Sequence, residues 1–178
     1  MHRCMYYSSV LGLDLGMYYK RRNYSVIVNG KNPIEAHEYL GRSVEGKDVM
    51  IVDDMISSGE SVLDIAKKLK AQGARRIFIF TAFGLFCNGL DSFDEAYRLG
   101  EITKVFTTNL VYRIPELKER EWYCEVDMSK YISLLIDTIN HDETISQLLV
   151  PVNKIKALME RHEKELKGQV SLFDADEQ

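Results

Sequence analysis

Two adjacent carboxylates, Asp53 and Asp54, are followed within eight residues by Ser57, Ser58, Gly59, Glu60 and Ser61. Neighbouring carboxylates at the end of a strand can accept hydrogen bonds from vicinal hydroxyls. Three hydroxyl side chains beside the unsatisfied N–H groups of a helix start can hold an anion such as a phosphate. Gly59 permits positive φ and lets the backbone approach a ligand closely. The residue types therefore suit a sugar phosphate. A plainer reading makes Asp53 and Asp54 solvated turn residues, and Ser61 an N-cap with Asp64 as a weak capping-box partner.

These residues need a strand before them and a helix after them, and the flanking sequence supplies both. Val49-Met-Ile-Val52 has no polar residue, as expected of a strand buried on both faces of a parallel sheet. It is expected to stop at Asp53. Val62, Ile65, Ala66 and Leu69 recur at helical spacing, and Gly73 follows the run. Lys68 and Lys70 suit the negative end of that helix. Ile77-Phe-Ile-Phe80 supplies the next strand, so residues 49–83 read as one βαβ unit with a right-handed crossover. In open sheets of this kind, ligands bind at the carboxyl ends of the strands, which is where Asp53 and Asp54 fall.

The rest of the chain continues the alternation. A helix is expected over 3–11, a short strand over 13–19 running into Lys20-Arg21-Arg22, an extended stretch over 24–28 and a turn at Asn29-Gly30. Further on come a helix near 92–99, strands near 105–108 and 122–126, and a helix from about 128 to 140. Pro151 separates a last helix, 152–167, which Gly168 should end before a frayed acidic tail. The fold class is α/β, with a mostly parallel sheet of about five strands flanked by helices. Residues 1–150 form the ligand-binding domain, and residues 151–178 a C-terminal helical extension and acidic tail.

Composition limits the functions available. The 178 residues are 46% hydrophobic and 28% charged, with a net charge of −4 that offers no general attraction to nucleic acid or acidic lipid. Cys4, Cys87 and Cys124 are far apart and form no CxxC pair, so they read as reduced thiols. His2, His37, His141 and His162 lack ligand spacing, and no metal site is assigned. No apolar run approaches the roughly 18 residues a membrane span needs. A cytoplasmic protein is expected.

The segment from Val52 to Ser61, Val-Asp-Asp-Met-Ile-Ser-Ser-Gly-Glu-Ser, resembles the signature of type I phosphoribosyltransferases. Its Asp-Asp-Met-Ile form is similar to the ribose-phosphate diphosphokinase branch. Arg3, Leu11-Gly12, Lys20-Arg21-Arg22, Glu35, Gly41, Val44-Glu-Gly-Lys47 and Gly84 follow the order seen in those enzymes, so the resemblance covers about residues 3–150. The chain departs from the pattern at Ser58, where Thr is usual, and at Ser57 and Glu60, where Asp and Gly are usual. Tyr19 replaces an acid, and the loop from Asn23 to Ile34 is several residues longer.

The resemblance implies a phosphoribosyltransferase-like fold in which Asp53, Asp54 and Ser57 to Ser61 bind ribose 5-phosphate. It also implies that Lys20 and Arg22 act in catalysis from the base of a mobile loop, stabilising charge during diphosphoryl transfer from ATP. Mg2+ as cofactor, phosphoribosyl pyrophosphate as product and a homo-oligomer follow from the same resemblance. The ATP-binding half of such an enzyme has no counterpart in these residues, and its loss is expected to expose apolar surface. The alternatives are a noncatalytic phosphoribosyl-pyrophosphate-binding regulator or a phosphoribosyltransferase. Separately, Gln169-Val-Ser-Leu-Phe173 resembles the peptide by which bacterial proteins dock on the replication sliding clamp; a hydrophobic tail contact is the simpler account.

Overall fold

The computed structural model describes the backbone of residues 2–22 and 34–173. The stretch expected to be extended over 24–28, the Asn29-Gly30 turn and the long loop from Asn23 lie outside the described residues, as do residues 174–178 of the expected frayed tail. The elements run α1 (His2–Leu11), β1 (Met17–Arg22), β2 (Ile34–Leu40), β3 (Asp48–Ile56), α2 (Glu60–Ala71), β4 (Arg76–Gly84) and α3 (Asp91–Arg98). They continue with β5 (Lys104–Thr108), a 3-10 turn at Pro115–Glu119, β6 (Tyr123–Val126), α4 (Ser129–Asn140), α5 (Ser146–Leu149) and α6 (Val152–Phe173).

The chain divides into two compact units. The first comprises Met1–Cys4 and Asp14–Ser129, and the second Met5–Leu13 and Lys130–Gln178. The first holds a four-stranded sheet in the order β3-β4-β5-β6, with every neighbouring pair parallel, and a separate antiparallel pair, β1-β2. The main sheet thus has four described strands where the sequence suggested about five. The segment read as a strand over 13–19 begins later, at Met17, and joins the antiparallel pair instead.

One face of the main sheet carries Ile77, Ile79, Val105 and Thr107, all nearly inaccessible, and packs with Val62, Ala66 and Leu69 of α2 and Phe93 and Ala96 of α3. The periodic stripe of α2 is thus the stripe it buries, at about 1.5–3 kcal/mol per large apolar side chain. Past its end, Gly73 takes φ 88° and donates its N–H to the Lys70 carbonyl, and Lys68 pairs with Asp64 one turn back. Phe86, Phe93, Trp122 and Tyr123 form an aromatic cluster under the loops that follow the strands. The buried Trp122 indole donates to Asp94 Oδ1 at 2.7 Å, so its polar edge is satisfied.

β3 departs from its expected burial on both faces. It is an edge strand of that sheet, and Met50 is 42% exposed and Met55 45% exposed. At the amino ends of β3 and β4, Asp48 accepts bidentate hydrogen bonds from both Arg75 and Arg76.

The second unit is helical. Leu13 and Ser8 exchange hydrogen bonds that close α1, and Tyr131 Oη donates to the Leu148 carbonyl to tie α4 to α5. The last helix does not stop at Gly168 but runs on to Phe173. A single glycine costs a helix about 1 kcal/mol relative to alanine without ending it when good helix formers precede it, here Glu163 to Lys167. Gln169 to Phe173 therefore forms the last turn of α6.

Candidate functional site

The pairing of β3 with β4 carries the strand past both carboxylates. Asp53 stands opposite Thr81, and the ladder continues through Met55 and Phe83 to Ile56 and Gly84. The strand therefore does not stop at Asp53, because the hydrogen-bonding frame of β4 extends it to the start of the serine loop. As consecutive residues of an extended strand, Asp53 and Asp54 leave the backbone on opposite faces. Asp53 follows Val49 and Ile51 on the face that packs against α2 and α3, while Asp54 follows Met50 and Val52. Both are exposed, and Asp53 Oδ1 accepts the Asp54 N–H at 2.9 Å.

Ser57 and Ser58 lead to Gly59, the N-cap of α2, which has φ 89° and ψ −12° and offers no side-chain cap. Glu60 and Ser61 fall in the first turn, so Ser61 is a helical residue and not the N-cap of the capping-box reading. The first helical bond runs from the Leu63 N–H to the Gly59 carbonyl at 3.0 Å, and the Glu60 N–H approaches Ser58 Oγ at 3.4 Å. Gly59 is required twice over. A Cβ there would lie 2.3 Å from Cε2 of Phe93, a ring with no exposed surface, and the backbone is left-handed besides. Ser57, Glu60 and Ser61 are exposed and Ser58 half-buried. The structure thus brings Asp53, Asp54 and Ser57 to Ser61 to one strand end and helix start, the setting in which helix N–H groups and hydroxyls bind anions.

The loop is braced by residues that the sequence did not single out. The Leu85 N–H donates to the Ile56 carbonyl at 2.8 Å and the Cys87 N–H to the Ser57 carbonyl at 2.9 Å. Nothing in the local pattern marks this turn, since it reaches the loop only through the pairing of β3 with β4.

Lys20 and Arg22 lie within β1, opposite His37 and Ile34, with a register slip between Arg21 and Arg22. The basic run is thus part of a strand, in a different sheet from Asp53 and Asp54. Among the described residues no group of three or more His, Cys, Asp or Glu could hold a metal ion, and no helix is long and apolar enough to cross a membrane. A cleft of about 370 Å³ beyond β5, lined by Val111, Tyr112, Arg113, Pro115 and Lys118, contains none of the residues from Asp53 to Ser61.

Residues 23–150 match the model of the phosphoribosyl synthetase-associated domain. The chain belongs to that family. Similar proteins include the ribose-phosphate pyrophosphokinase of Ureaplasma parvum, 34% identical over 109 residues, which are 61% of this chain and 31% of that protein. The enzyme of the same description from Wolinella succinogenes is 28% identical over 148 residues, covering 83% of this chain and 44% of that one. The crystal structure of phosphoribosylpyrophosphate synthetase from Mycobacterium smegmatis has the same fold, with a TM-score of 0.62 and 17% identity over 78% of this chain and 40% of that chain. The chain therefore spans less than half the length of these relatives. The domain match contains the whole serine loop and the turn that braces it.

Proposed function

We propose that this chain is the sugar-phosphate-binding portion of a ribose-phosphate diphosphokinase, with residues 1–150 as its phosphoribosyltransferase-like part. The observation that carries the reading is the junction of β3 with α2. Two exposed carboxylates lie near the carboxyl end of a parallel strand, and a serine-rich loop with a left-handed glycine follows that strand and opens a helix. In this reading the phosphate of ribose 5-phosphate sits at the amino end of α2, held by N–H groups and by the hydroxyls of Ser57, Ser58 and Ser61. Asp53 or Asp54 accepts hydrogen bonds from the ribose hydroxyls.

Lys20 and Arg22 act on the transferred group. Diphosphoryl transfer from ATP to the C1 hydroxyl spreads negative charge over non-bridging oxygens, and fixed cations stabilise that charge. Mg2+ would supply further charge neutralisation when bound with the nucleotide. With no three-ligand group among the described residues, none is assigned to hold it. The nucleotide site belongs to the part of such an enzyme that this chain does not match, and the working unit is a cytoplasmic homo-oligomer.

Calorimetric titration of ribose 5-phosphate and, separately, of magnesium-ATP tests the reading. Ribose 5-phosphate should bind, and Asp53→Ala/Asp54→Ala should abolish that heat. A wild-type chain that binds magnesium-ATP but not ribose 5-phosphate would overturn it.

A further inference from the structure

We infer that the turn Leu85–Cys87 is a positioning element of the phosphate loop and that Phe86 is its anchor. The inference rests on the reading that Ser57 to Ser61 take a phosphate. A phosphate-binding loop must turn its carbonyls away from the anion and its N–H groups toward it. In a trans peptide the C=O and the N–H of one plane point in opposite directions, and the described chain has no cis bond. Pinning a carbonyl therefore aims the next residue's N–H.

Two successive carbonyls of the loop are pinned in this way. The Leu85 N–H holds the Ile56 carbonyl at 2.8 Å, and the Cys87 N–H holds the Ser57 carbonyl at 2.9 Å. The N–H groups of Ser57 and Ser58 are thereby directed away from the turn. Between the two donors stands Phe86, with φ 48°, in the left-handed region that a non-glycine residue occupies only when its surroundings enforce it. Those surroundings are visible. Phe86 is 5% exposed, its ring meets Phe93 at 5.1 Å and Trp122 at 5.9 Å, and it lies so close over Gly84 that a Cβ there would come within 2.7 Å. Phe93, which meets Phe86, also closes on Gly59 from below. One aromatic cluster thus sets both ends of the loop: Ser57 through hydrogen bonds and Gly59 through contact.

The test uses the 178-residue chain and ribose 5-phosphate, with three variants. Cys87→Ser keeps the N–H and puts a hydroxyl acceptor in place of the sulfur to which Ser57 Oγ donates at 3.8 Å, Cys87→Pro removes the N–H, and Phe86→Leu keeps an apolar anchor of the wrong shape. Affinity is measured by calorimetry, and the Ser57 and Ser58 amide signals are followed by NMR as inorganic phosphate is added. Cys87→Ser should bind within twofold of wild type. Phe86→Leu should stay folded and bind about tenfold more weakly, with the phosphate-induced shifts at Ser57 and Ser58 diminished. Cys87→Pro should do the same wherever it folds. Wild-type affinity and wild-type amide shifts in folded Phe86→Leu would overturn the inference, as they would in Cys87→Pro. If neither wild type nor Cys87→Ser binds ribose 5-phosphate, the sugar-phosphate reading itself falls, and this inference with it.

Discussion

Gly59→Ala tests whether the loop is held as described. The substitution has two costs, both readable at one residue. The first is conformational: alanine at φ 89° and ψ −12° pays roughly 1–2 kcal/mol for a left-handed backbone. The second is steric: the new methyl would sit 2.3 Å from Cε2 and 2.5 Å from Cζ of Phe93, and overpacking a core of this kind costs about 1–3 kcal/mol. Reduced freedom of the unfolded chain returns about 0.4–1 kcal/mol. The net loss is about 1.5–4 kcal/mol.

Urea unfolding followed by tryptophan fluorescence is the suitable assay, because the single tryptophan, Trp122, is buried and stacks on Phe93 at 5.3 Å. A cycle with Phe93→Ala separates the two costs. In that background the ring is gone, and Gly59→Ala should cost only the conformational part less the same unfolded-chain return, about 0.6–1 kcal/mol. A loss below about 0.5 kcal/mol in the wild-type background would refute the left-handed loop. A loss that Phe93→Ala leaves unchanged would refute the contact.

Other outcomes follow from the same geometry. Glu60→Gly should tighten ribose 5-phosphate binding roughly fivefold by calorimetry. Removing one negative charge some 6 Å or more from a phosphate is worth about 1 kcal/mol in water-like surroundings, and the effect should shrink in high salt. Lys20→Ala should leave ribose 5-phosphate affinity within twofold; a large loss of affinity would place Lys20 in sugar-phosphate binding instead of transfer. Asp48→Asn should lower the melting temperature at neutral pH but not in acid. Hydrogen bonds from Arg75 and Arg76 hold the Asp48 carboxyl well below the usual carboxylate range. A depressed folded pKa contributes stability above the unfolded value of about 3.9, and that contribution fades as pH falls below it. The gap between the two melting temperatures should therefore shrink progressively as pH falls below about 4 and close only below the depressed pKa of Asp48, and a gap that does not shrink on acidification would contradict the assignment.

The βαβ unit was legible because each of its parts carries a local signal. A purely apolar run gave β3, a 3.6-residue stripe gave α2, and the later burial of Val62, Ala66 and Leu69 follows that stripe. The acid pair and the serine loop were legible for the same reason, being contiguous in sequence. Three features were not. The exposure of Met50 and Met55 depends on β3 being an edge, which is a property of the sheet and not of the strand. The continuation of β3 through Asp53 and Asp54 depends on β4 offering partners as far as Gly84. The bracing of Ser57 by Cys87 joins residues 30 apart in sequence, across a turn whose left-handed residue is a phenylalanine, where local rules would look for glycine. Gly168 erred in the opposite direction, since a local stop signal was overridden by the helix around it.

The central claim is that a sugar phosphate binds where β3 meets α2. The most direct measurement is an NMR titration of the isotope-labelled chain with ribose 5-phosphate. The largest and saturable amide shifts should fall on Ser57 to Ser61, with smaller ones at Asp53 and Asp54. Shifts centred elsewhere, for example on the cleft around Tyr112 and Lys118, would contradict the account.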